Sequence, residues 1–451
     1  MKNDIILKNI TNIHFIGIGG ISLSALAKLM HSMGKNVTGS DIKCNELIDN
    51  LKKLNIKVFL SHKKKHIKNA ELVVYTSAIK NSNPEYLEAK KRNILLMSRA
   101  EFLGLVAKEY EKVIAVSGSH GKTTTCGMLA SIFKKGGYNP TVHIGGESET
   151  TNGNLLIGEK NFFITEACEY KDSFLQLFPN ISLILNMEYD HSDYFKSVEV
   201  IFNSFSKFAN NAKDMIVIEE RYESFIDTKK NYTTFGFNHA NYTAKNISLN
   251  EKYFTTFDCY KNNEFFAAFT LKSPLKHNVY NALASICIAD YYKIKKTDII
   301  EGLSEFLGIK RRFETIGEFL GNTIIHDYAH HPTEIMSTIK NCKDSYNKKI
   351  ITIFQPHTYS RTKSLMKEFL QCFKDCEKVL IVKTYKARER KIKGGTAKDL
   401  YINLKKIGTK TAYFNNFKKV KAFLNKSNIN NAMILVLGAG NIEELARDYL
   451  K

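Results

Sequence analysis

The chain has 451 residues, 43% hydrophobic, 25% charged and 11% aromatic, and at roughly 100–200 residues per domain that length predicts two to four cores. This composition excludes wholesale disorder, and no apolar run approaches the ~20 residues that a bilayer requires, which excludes a membrane-spanning helix. The formal charge of +21 is spread along the chain, mostly on Lys among abundant Asn and Ile, so it reads as a compositional trait compatible with anionic small substrates, and no nucleic-acid partner is expected.

At the N-terminus, Lys2, Asp4 and Lys8 interrupt the apolar residues; no export signal is readable there, and a cytoplasmic location is expected. Apolar β-type runs at Ile13–Ile16, Val37–Thr38, Lys57–Leu60 and Leu72–Tyr75 alternate with helical stretches at Ile21–Met33 and Glu46–Leu54, the pattern of a parallel sheet with crossover helices. Gly17-Ile18-Gly19-Gly20 joins the first strand to the first helix, where glycine lets a ligand approach and a helix N-terminus meets an anion. A dinucleotide fingerprint wants a third glycine where Ser22 stands, yet Asp41 is placed as a ribose-binding acid. A nucleotide or diphosphate, a nicotinamide cofactor and a simple tight turn all remain open on these residues alone.

A second unit opens at the buried-strand run Lys112–Val116, followed by Ser117-Gly118-Ser119-His120-Gly121-Lys122-Thr123-Thr124-Thr125 and a helix over Cys126–Lys134. Strand, Gly/Ser/Thr loop and helix in that order let backbone N–H groups cradle phosphate while Lys122 meets the terminal phosphates and Thr123 a Mg²⁺ ion. Val116 stands where the generic motif has its first glycine, so the loop is a shortened variant. Strands at Phe162–Ile164 and Ile181–Leu185 bring Glu166, Glu169 and Asp190-His191 to the edge that carries the loop, a place for a second Mg²⁺ or simply for surface acids and a hydrogen-bonded histidine. Tyr232–Leu271, rich in Thr, Phe and Tyr, reads as antiparallel strands with a turn at Lys261–Glu264, and helices resume over Asn278–Ile294.

A third βα series runs from Thr323 to the end, with strands at Ile350–Phe354, Val379–Val382 and Met433–Leu437. The clusters His326-Asp327-Tyr328-Ala329-His330-His331-Pro332 and Gln355-Pro356-His357-Thr358-Tyr359-Ser360-Arg361 each follow a strand. Arg361, four residues after His357, can share a helix face with it and offer a planar fork to a carboxylate or phosphate, or serve as a cap or salt bridge. No familiar zinc spacing accompanies the histidines, and none of the eight cysteines forms a C-x-x-C pair, so reduced structural thiols are expected.

Taken together, His14–Ser22, Ser117–Thr125, Thr165–Tyr170, Asn186–His191, His277–Ala282, Lys310–Glu314, Asp327–Pro332, Phe354–Thr362, Ala387–Glu389 and Gly438–Gly440 resemble, in this order and across essentially the whole chain, the Mur ligases. The shortened phosphate loop is typical of that family, and the Phe-Gln-Pro-His segment favours its alanine-adding branch or the murein-tripeptide recycling branch. The resemblance implies an α/β, three-domain architecture: an N-terminal Rossmann-like domain over 1–108 for a UDP sugar, a central P-loop ATPase domain over 109–312, and a C-terminal Rossmann-like domain over 313–451 that closes over ATP and the amino acid. It implies an ATP- and Mg²⁺-dependent C–N ligase acting on UDP-N-acetylmuramate and L-alanine through an acyl phosphate, as a monomer or homodimer.

Carried over by motif, Gly17, Gly19, Gly20, Ser22, Asp41 and Ser77 face the UDP sugar. Gly118, Ser119, His120, Gly121, Lys122, Thr123 and Thr124 hold phosphates, Thr123, Glu166 and His191 hold metal, and Asn278 and Asn281 read adenine. Arg312 approaches the γ-phosphate and Asp327 the ATP ribose. His357 and Arg361 orient alanine beside Tyr328 and His330, and His191 or His330 takes the amine proton. Leu275, Lys383 and Asn441 depart from the family pattern beside these motifs.

Overall fold

The computed structural model describes residues 7–188, 194–195, 197–387, 389–427 and 429–450. The chain divides into two compact units, Met1–Leu307 and Gly308–Lys451. Among the described residues no helix is long and apolar enough to cross a membrane.

The first unit holds two sheets. Strands β1 (Asn12–Ile16), β2 (Asn36–Ser40), β3 (Lys57–Phe59), β4 (Leu72–Tyr75) and β5 (Leu95–Ser98) alternate with helices α1 (Ile21–Ser32), α2 (Glu46–Lys53), α3 (Pro84–Lys91) and α4 (Arg99–Ala107). All pairs are parallel, in the order β3-β2-β1-β4-β5. The order reverses between β1 and β4, so the crevice of this sheet lies where Gly17 and Ser77 follow the two strand ends.

Ten strands form the second sheet: β6 (Lys112–Ser117), β7 (Pro140–Ser148), β8 (Gly153–Leu156), β9 (Glu159–Glu166), β10 (Ile181–Ile184), β11 (Met215–Glu219), β12 (Tyr232–Gly236), β13 (Tyr242–Leu249), β14 (Thr255–Lys261) and β15 (Glu264–Leu271). Helices α5 (Lys122–Lys135), α6 (Val198–Asn210), α7 (His277–Tyr291) and α8 (Lys296–Glu305) accompany it. Strand β6 sits between β10 and β9, parallel to both, so its loop is flanked by the residues that leave those two strands. Antiparallel pairing was expected throughout Tyr232–Leu271. Instead β12 is parallel to β11 and to β13, and only β13, β14 and β15 form an antiparallel meander. Its last turn holds Asn262 and Asn263 at φ 49° and 68°, the left-handed pair of a tight hairpin turn, which asparagine tolerates. β12 escaped the reading because a short connection hides the direction of pairing.

One apolar cluster runs from Phe15 on β1 through Phe102 on α4 to Phe163 on β9 and Phe208 on α6, all fully buried, so the two sheets share a core. Helix α5 is held at its far side by α8: Ser131 Oγ donates to the Gly302 carbonyl at 2.7 Å. A Cβ on Gly302 would lie 2.6 Å from Ile132 Cα.

The second unit builds a six-stranded sheet from β16 (Glu314–Phe319), β17 (Asn322–Asp327), β18 (Lys349–Phe354), β19 (Lys378–Val382), β20 (Thr411–Phe414) and β21 (Ala432–Leu437). Helices α9 (Pro332–Ser345), α10 (Tyr359–Ser364), α11 (Met366–Gln371), α12 (Ala397–Lys406) and α13 (Phe417–Lys426) complete it. The order is β16-β17-β21-β18-β19-β20, parallel except for the edge hairpin β16–β17. The series thus begins at Glu314, one strand earlier than the apolar pattern from Thr323 predicts, because the edge strand β16 is half polar. We predict that Gly302→Ala, which must push α8 off the α5 backbone, costs about 1–3 kcal/mol by overpacking, read as a lower urea midpoint.

Candidate active site

The loop from Ser117 to Gly121 leaves β6 at the middle of the second sheet. Gly118 and Gly121 adopt φ of +137° and +86°, a region that L side chains avoid. A Cβ on Gly121 would lie 2.5 Å from Asn281 Oδ1, so only glycine lets α7 approach the bend. The loop is clamped from β10. His120 N donates to Asn186 Oδ1 at 2.9 Å, Asn186 Nδ2 donates to the His120 carbonyl at 3.1 Å, and Ser119 Oγ accepts from Glu188 N at 3.0 Å. The first-turn amides of α5, at Lys122, Thr123 and Thr124, follow this bend and supply the N–H groups that a phosphate takes.

Lys122 folds back over the loop. Its ammonium donates to the Gly118 carbonyl, to the Ser119 carbonyl at 3.4 Å and to Glu169 Oε2 at 2.9 Å. Burial works against this charge, but Glu169 and the neighbouring acids outweigh it and hold the ammonium above its ordinary pKa. Glu169 is itself 3% exposed. Its role with Lys122 was not assigned from the sequence, although it stands only three positions beyond Glu166; the intervening turn, not strand spacing, aims it at the loop. Glu166 ends β9, where Oε1 accepts from Gly145 N at 2.6 Å. Thr123 and Glu166 supply hard oxygen donors of the kind Mg²⁺ prefers. Among the described residues no group of three or more His, Cys, Asp or Glu gathers as a metal site; His191 lies outside them.

Asn278 and Asn281 stand together on α7. Asn281 Nδ2 donates to Asn278 Oδ1 at 3.0 Å, and Asn278 Nδ2 to Ser273 Oγ at 2.8 Å. Leu275, one of the departures from the family pattern, is buried, and its carbonyl accepts from Asn278 N.

On the first sheet the glycines build the turn that joins β1 to α1. Gly17 and Ile18 N–H donate to the Ser40 carbonyl, Gly20 N–H to Gly17, and Gly19 N–H to Asp41 Oδ2 at 3.0 Å. The other Asp41 oxygen accepts from Ile42 and Lys43 N–H. The first-turn amides of α1, at Ile21, Ser22 and Leu23, are the N–H groups beside this turn that an anion could take. Ser22 Oγ lies 3.0 Å from His143 Nε2, and Ser77 is an exposed turn residue after β4. His143, on β7, is 2% exposed, and its Nδ1 lies 2.9 Å from Thr165 Oγ1. Burial, then the Arg99 charge, lowers its pKa to about 4.

In the second unit the predicted residues meet one another. The Arg361 guanidinium donates to His357 Nδ1 at 3.2 Å, the His330 ring packs edge-on to His357 with centroids 5.6 Å apart, and Tyr328 packs edge-on to His330. Arg312 lies over the Tyr328 ring, 5.6 Å from its centroid. His357 precedes α10 rather than lying on it, and it stacks on Tyr385. Burial chiefly, with His330 and Arg361 adding, lowers the His357 pKa to about 4. Burial likewise lowers that of His330, against the pull of Glu334.

Both Asp327 oxygens accept backbone N–H groups, from Phe313 and Ala329, at 2.7 and 2.8 Å; this carboxylate pins the strand end, and burial raises its pKa. Glu389 takes the Tyr359 and Ser360 amides at the start of α10, a cap that spacing could not reveal. Asn441 accepts from Gln355 Nε2 at 3.0 Å, while Lys383 is exposed.

Family models agree with this layout: the Mur ligase family catalytic domain matches residues 12–111, the Mur ligase middle domain 116–289, and the Mur ligase glutamate ligase domain 311–440. A UDP-N-acetylmuramate--L-alanine ligase of Clostridium botulinum (strain Okra / Type B1) is 42% identical over 456 residues, covering 100% of both chains. This chain belongs to the Mur ligase family. A second such Mur ligase, from Clostridium beijerinckii, is 41% identical over 97% of each chain. Among solved structures, the UDP-N-acetylmuramate-alanine ligase of Thermotoga maritima superposes with a TM-score of 0.82 at 28% identity, covering 97% of this chain and 98% of that one. The murein peptide ligase of Psychrobacter arcticus shares the fold, with a TM-score of 0.68 at 22% identity over 96% of this chain and 97% of its own.

Two outcomes follow from this geometry. Asn186→Ala removes both clamps on His120 and lowers kcat/KM for ATP about ten- to hundredfold, the weight of one to two lost hydrogen bonds, measured by steady-state kinetics. His143 binds protons less readily folded than unfolded, so its stabilisation is complete above about pH 6.5 and is lost as pH falls towards 4, by up to about 3 kcal/mol. Urea unfolding across that window shows a shallower pH slope in His143→Gln.

Proposed function

We propose that the chain is an ATP-dependent ligase that joins L-alanine to the lactyl carboxylate of UDP-N-acetylmuramate, releasing ADP and phosphate, in cytoplasmic peptidoglycan precursor synthesis. The observation that carries the reading is the clamped loop 117–121, with Lys122 at its centre and Glu166 at its edge. The full-length similarity to alanine-adding ligases supports the choice of acceptor over a murein tripeptide. In this reading residues 1–108 hold the UDP sugar, 109–312 hold ATP, and 313–451 bring the amino acid.

A carboxylate does not acylate an amine directly, because its oxide is a poor leaving group. The lactyl carboxylate therefore attacks the γ-phosphorus of ATP; the new O–P bond forms as the bond to ADP breaks, and an acyl phosphate results. Two anions must approach, and Lys122 and Arg312 offset their repulsion and the charge that spreads over the moving phosphoryl group. Two Mg²⁺ ions, the first held by Thr123 and the second by Glu166 with His191, would supply further neutralisation of the triphosphate.

The amine of alanine then attacks the acyl carbon, phosphate leaves, and one proton is lost. His330 suits the proton transfer. Its Nδ1 lies 3.0 Å from the Tyr328 carbonyl and donates to it, leaving the Nε2 lone pair free, and burial keeps the ring neutral at pH 7. His357, with Nδ1 occupied as acceptor from Arg361, presents Nε2–H to the alanine carboxylate, and Arg361 adds its charge.

The test is ADP and phosphate release with ATP, Mg²⁺ and UDP-N-acetylmuramate, adding L-alanine, glycine, L-serine or the L-Ala-γ-D-Glu-meso-diaminopimelate tripeptide in turn. Release with L-alanine is expected, and release with the tripeptide alone overturns the assignment. Lys122→Ala abolishes turnover and leaves UDP-sugar affinity within about twofold. Because His330 must be neutral and its pKa lies below 6.5, kcat stays level above that pH and falls in acid; His330→Gln removes this acidic limb.

A further inference from the structure

The excess of positive charge, expected to be spread along the chain, is concentrated in the second unit. Residues 308–451 hold 28 of the 66 Lys and Arg but only 13 of the 45 acids, an excess of 15 out of 21. Most of it falls on 378–426, which covers β19, α12, β20 and α13, where fifteen Lys and Arg stand against Glu389 and Asp399. Both acids are engaged at helix starts, Glu389 by the Tyr359 and Ser360 amides and Asp399 by Thr396 N at 2.9 Å. Repulsion among so many like charges works against the compact state, and an anionic surface relieves it.

The topology sorts these cations onto two edges of the six-stranded sheet. Strands β18, β19 and β20 begin side by side, with Ile351 opposite Lys378 and Val379 opposite Thr411. The crossover helices run back between parallel strands, so α12 and α13 end where strands begin. Lys349, Lys378 and Lys410 therefore meet Lys405, Lys406 and Lys426 at the N-terminal edge. Of these six, only Lys410 has an acid partner among the described residues, Glu377 at 2.7 Å. The other acids of this edge are Asp344 and Asp375, and Lys343 takes Asp375 at 2.6 Å. Lysine at a helix C-terminus suits the dipole, but Lys349 and Lys378 open strands, where no dipole asks for them.

Apolar surface stands among these charges. Ile407, the C-cap of α12, is 54% exposed. Ile402 is 40% exposed and shares the outer face of α12 with Lys398, Lys405 and Lys406, while Ala397, Leu400 and Leu404 face inward. The opposite edge of the sheet, after β17 and β18, carries His330, His357 and Arg361, so a partner on the N-terminal edge leaves that cluster open.

We propose that this N-terminal edge docks on the headgroups of anionic phospholipids, with Ile407 as its apolar anchor. Two features favour a lipid surface over a nucleic acid. The cations of the edge are lysines, hydrated point charges suited to the diffuse field of a leaflet, whereas base recognition draws on arginine forks. The exposed apolar side chains beside them are aliphatic rather than the aromatic platforms on which bases stack. The docking does not depend on the ligase reading above.

Cosedimentation of the full chain with lipid vesicles tests it. We expect the chain to pellet with vesicles of equimolar phosphatidylcholine and phosphatidylglycerol at low salt, to release as salt rises, and to stay in solution with phosphatidylcholine alone. Lys405→Gln/Lys406→Gln lowers the partition coefficient about ten- to thirtyfold, at roughly fivefold per lysine, and Ile407→Ser lowers it about three- to tenfold. Lys418→Gln/Lys419→Gln, which removes the same charge at the start of α13 on the opposite edge, changes it less than about twofold. Unchanged thermal midpoints in the three variants exclude misfolding as the cause. No pelleting of the unsubstituted chain with the anionic vesicles overturns the assignment, as does equal loss in the two lysine pairs, which makes the binding a matter of net charge alone. Binding to a single-stranded oligonucleotide that the Lys405→Gln/Lys406→Gln pair weakens and the vesicles do not displace puts a nucleic acid on this edge and overturns it too.

Discussion

The structure around the phosphate loop depends on keeping one ammonium charged where water is scarce. Lys122 has loop carbonyls and Glu169 about it, and without that carboxylate its burial would favour the neutral amine, useless to a polyanion. The pair also sets a competition. A triphosphate entering the loop must take Lys122 from Glu169, so its affinity is a difference between two charge-assisted interactions rather than the whole of one. Glu166, three residues earlier at the end of β9, is held instead by Gly145 N–H. Two carboxylates three residues apart thus have different employment: one keeps a cation ionised, the other stays aligned at the sheet edge with its second oxygen uncommitted to that bond.

The histidines of the second unit show the opposite strategy. His330 and His357 lie ring to ring beside Arg361, and each is kept uncharged by burial and by neighbouring positive charge. A neutral imidazole has one donor and one lone pair, and the partner of Nδ1 decides which is which. Tyr328 makes Nδ1 the donor in His330, and Arg361 makes it the acceptor in His357. Adjacent rings of the same residue type therefore offer complementary atoms, a lone pair and an N–H, to whatever lies between them.

Much of this was legible in the sequence because it is local. The parallel strands announced themselves by apolar runs, and the phosphate loop by glycine, lysine and threonine at fixed offsets between strand and helix. The contacts that complete the site are not local. Asn186 grips His120 from 66 positions away and His143 reaches Ser22 across 121, and no periodicity encodes a pairing at such range. Asp41 and Asp327 carry a role that motif position does not show: each carboxylate is engaged by backbone N–H groups that shape its own turn. Such a structural task at a strand end is set by loop geometry, which sequence spacing does not encode.

Charge pairing separates the arginines into two kinds, and the separation bears on where substrate anions go. Arg311 and Arg447 have glutamates for partners, Glu443 and Glu314, and Arg221 has Glu219; these hold the fold together. Arg99 and Arg361 are only part-exposed and bond to a serine and a histidine instead, while Arg312 meets the Tyr328 ring. Among the described residues none of these three forms an ion pair, although the Arg312 charge reaches the Asp327 and Glu334 carboxylates. In a chain with an excess of 21 positive charges, surface lysines dominate the net figure but are screened by solvent within about 10 Å. The cations best suited to anionic reactants are those that the fold shelters from water, and their position is set by tertiary packing rather than by composition.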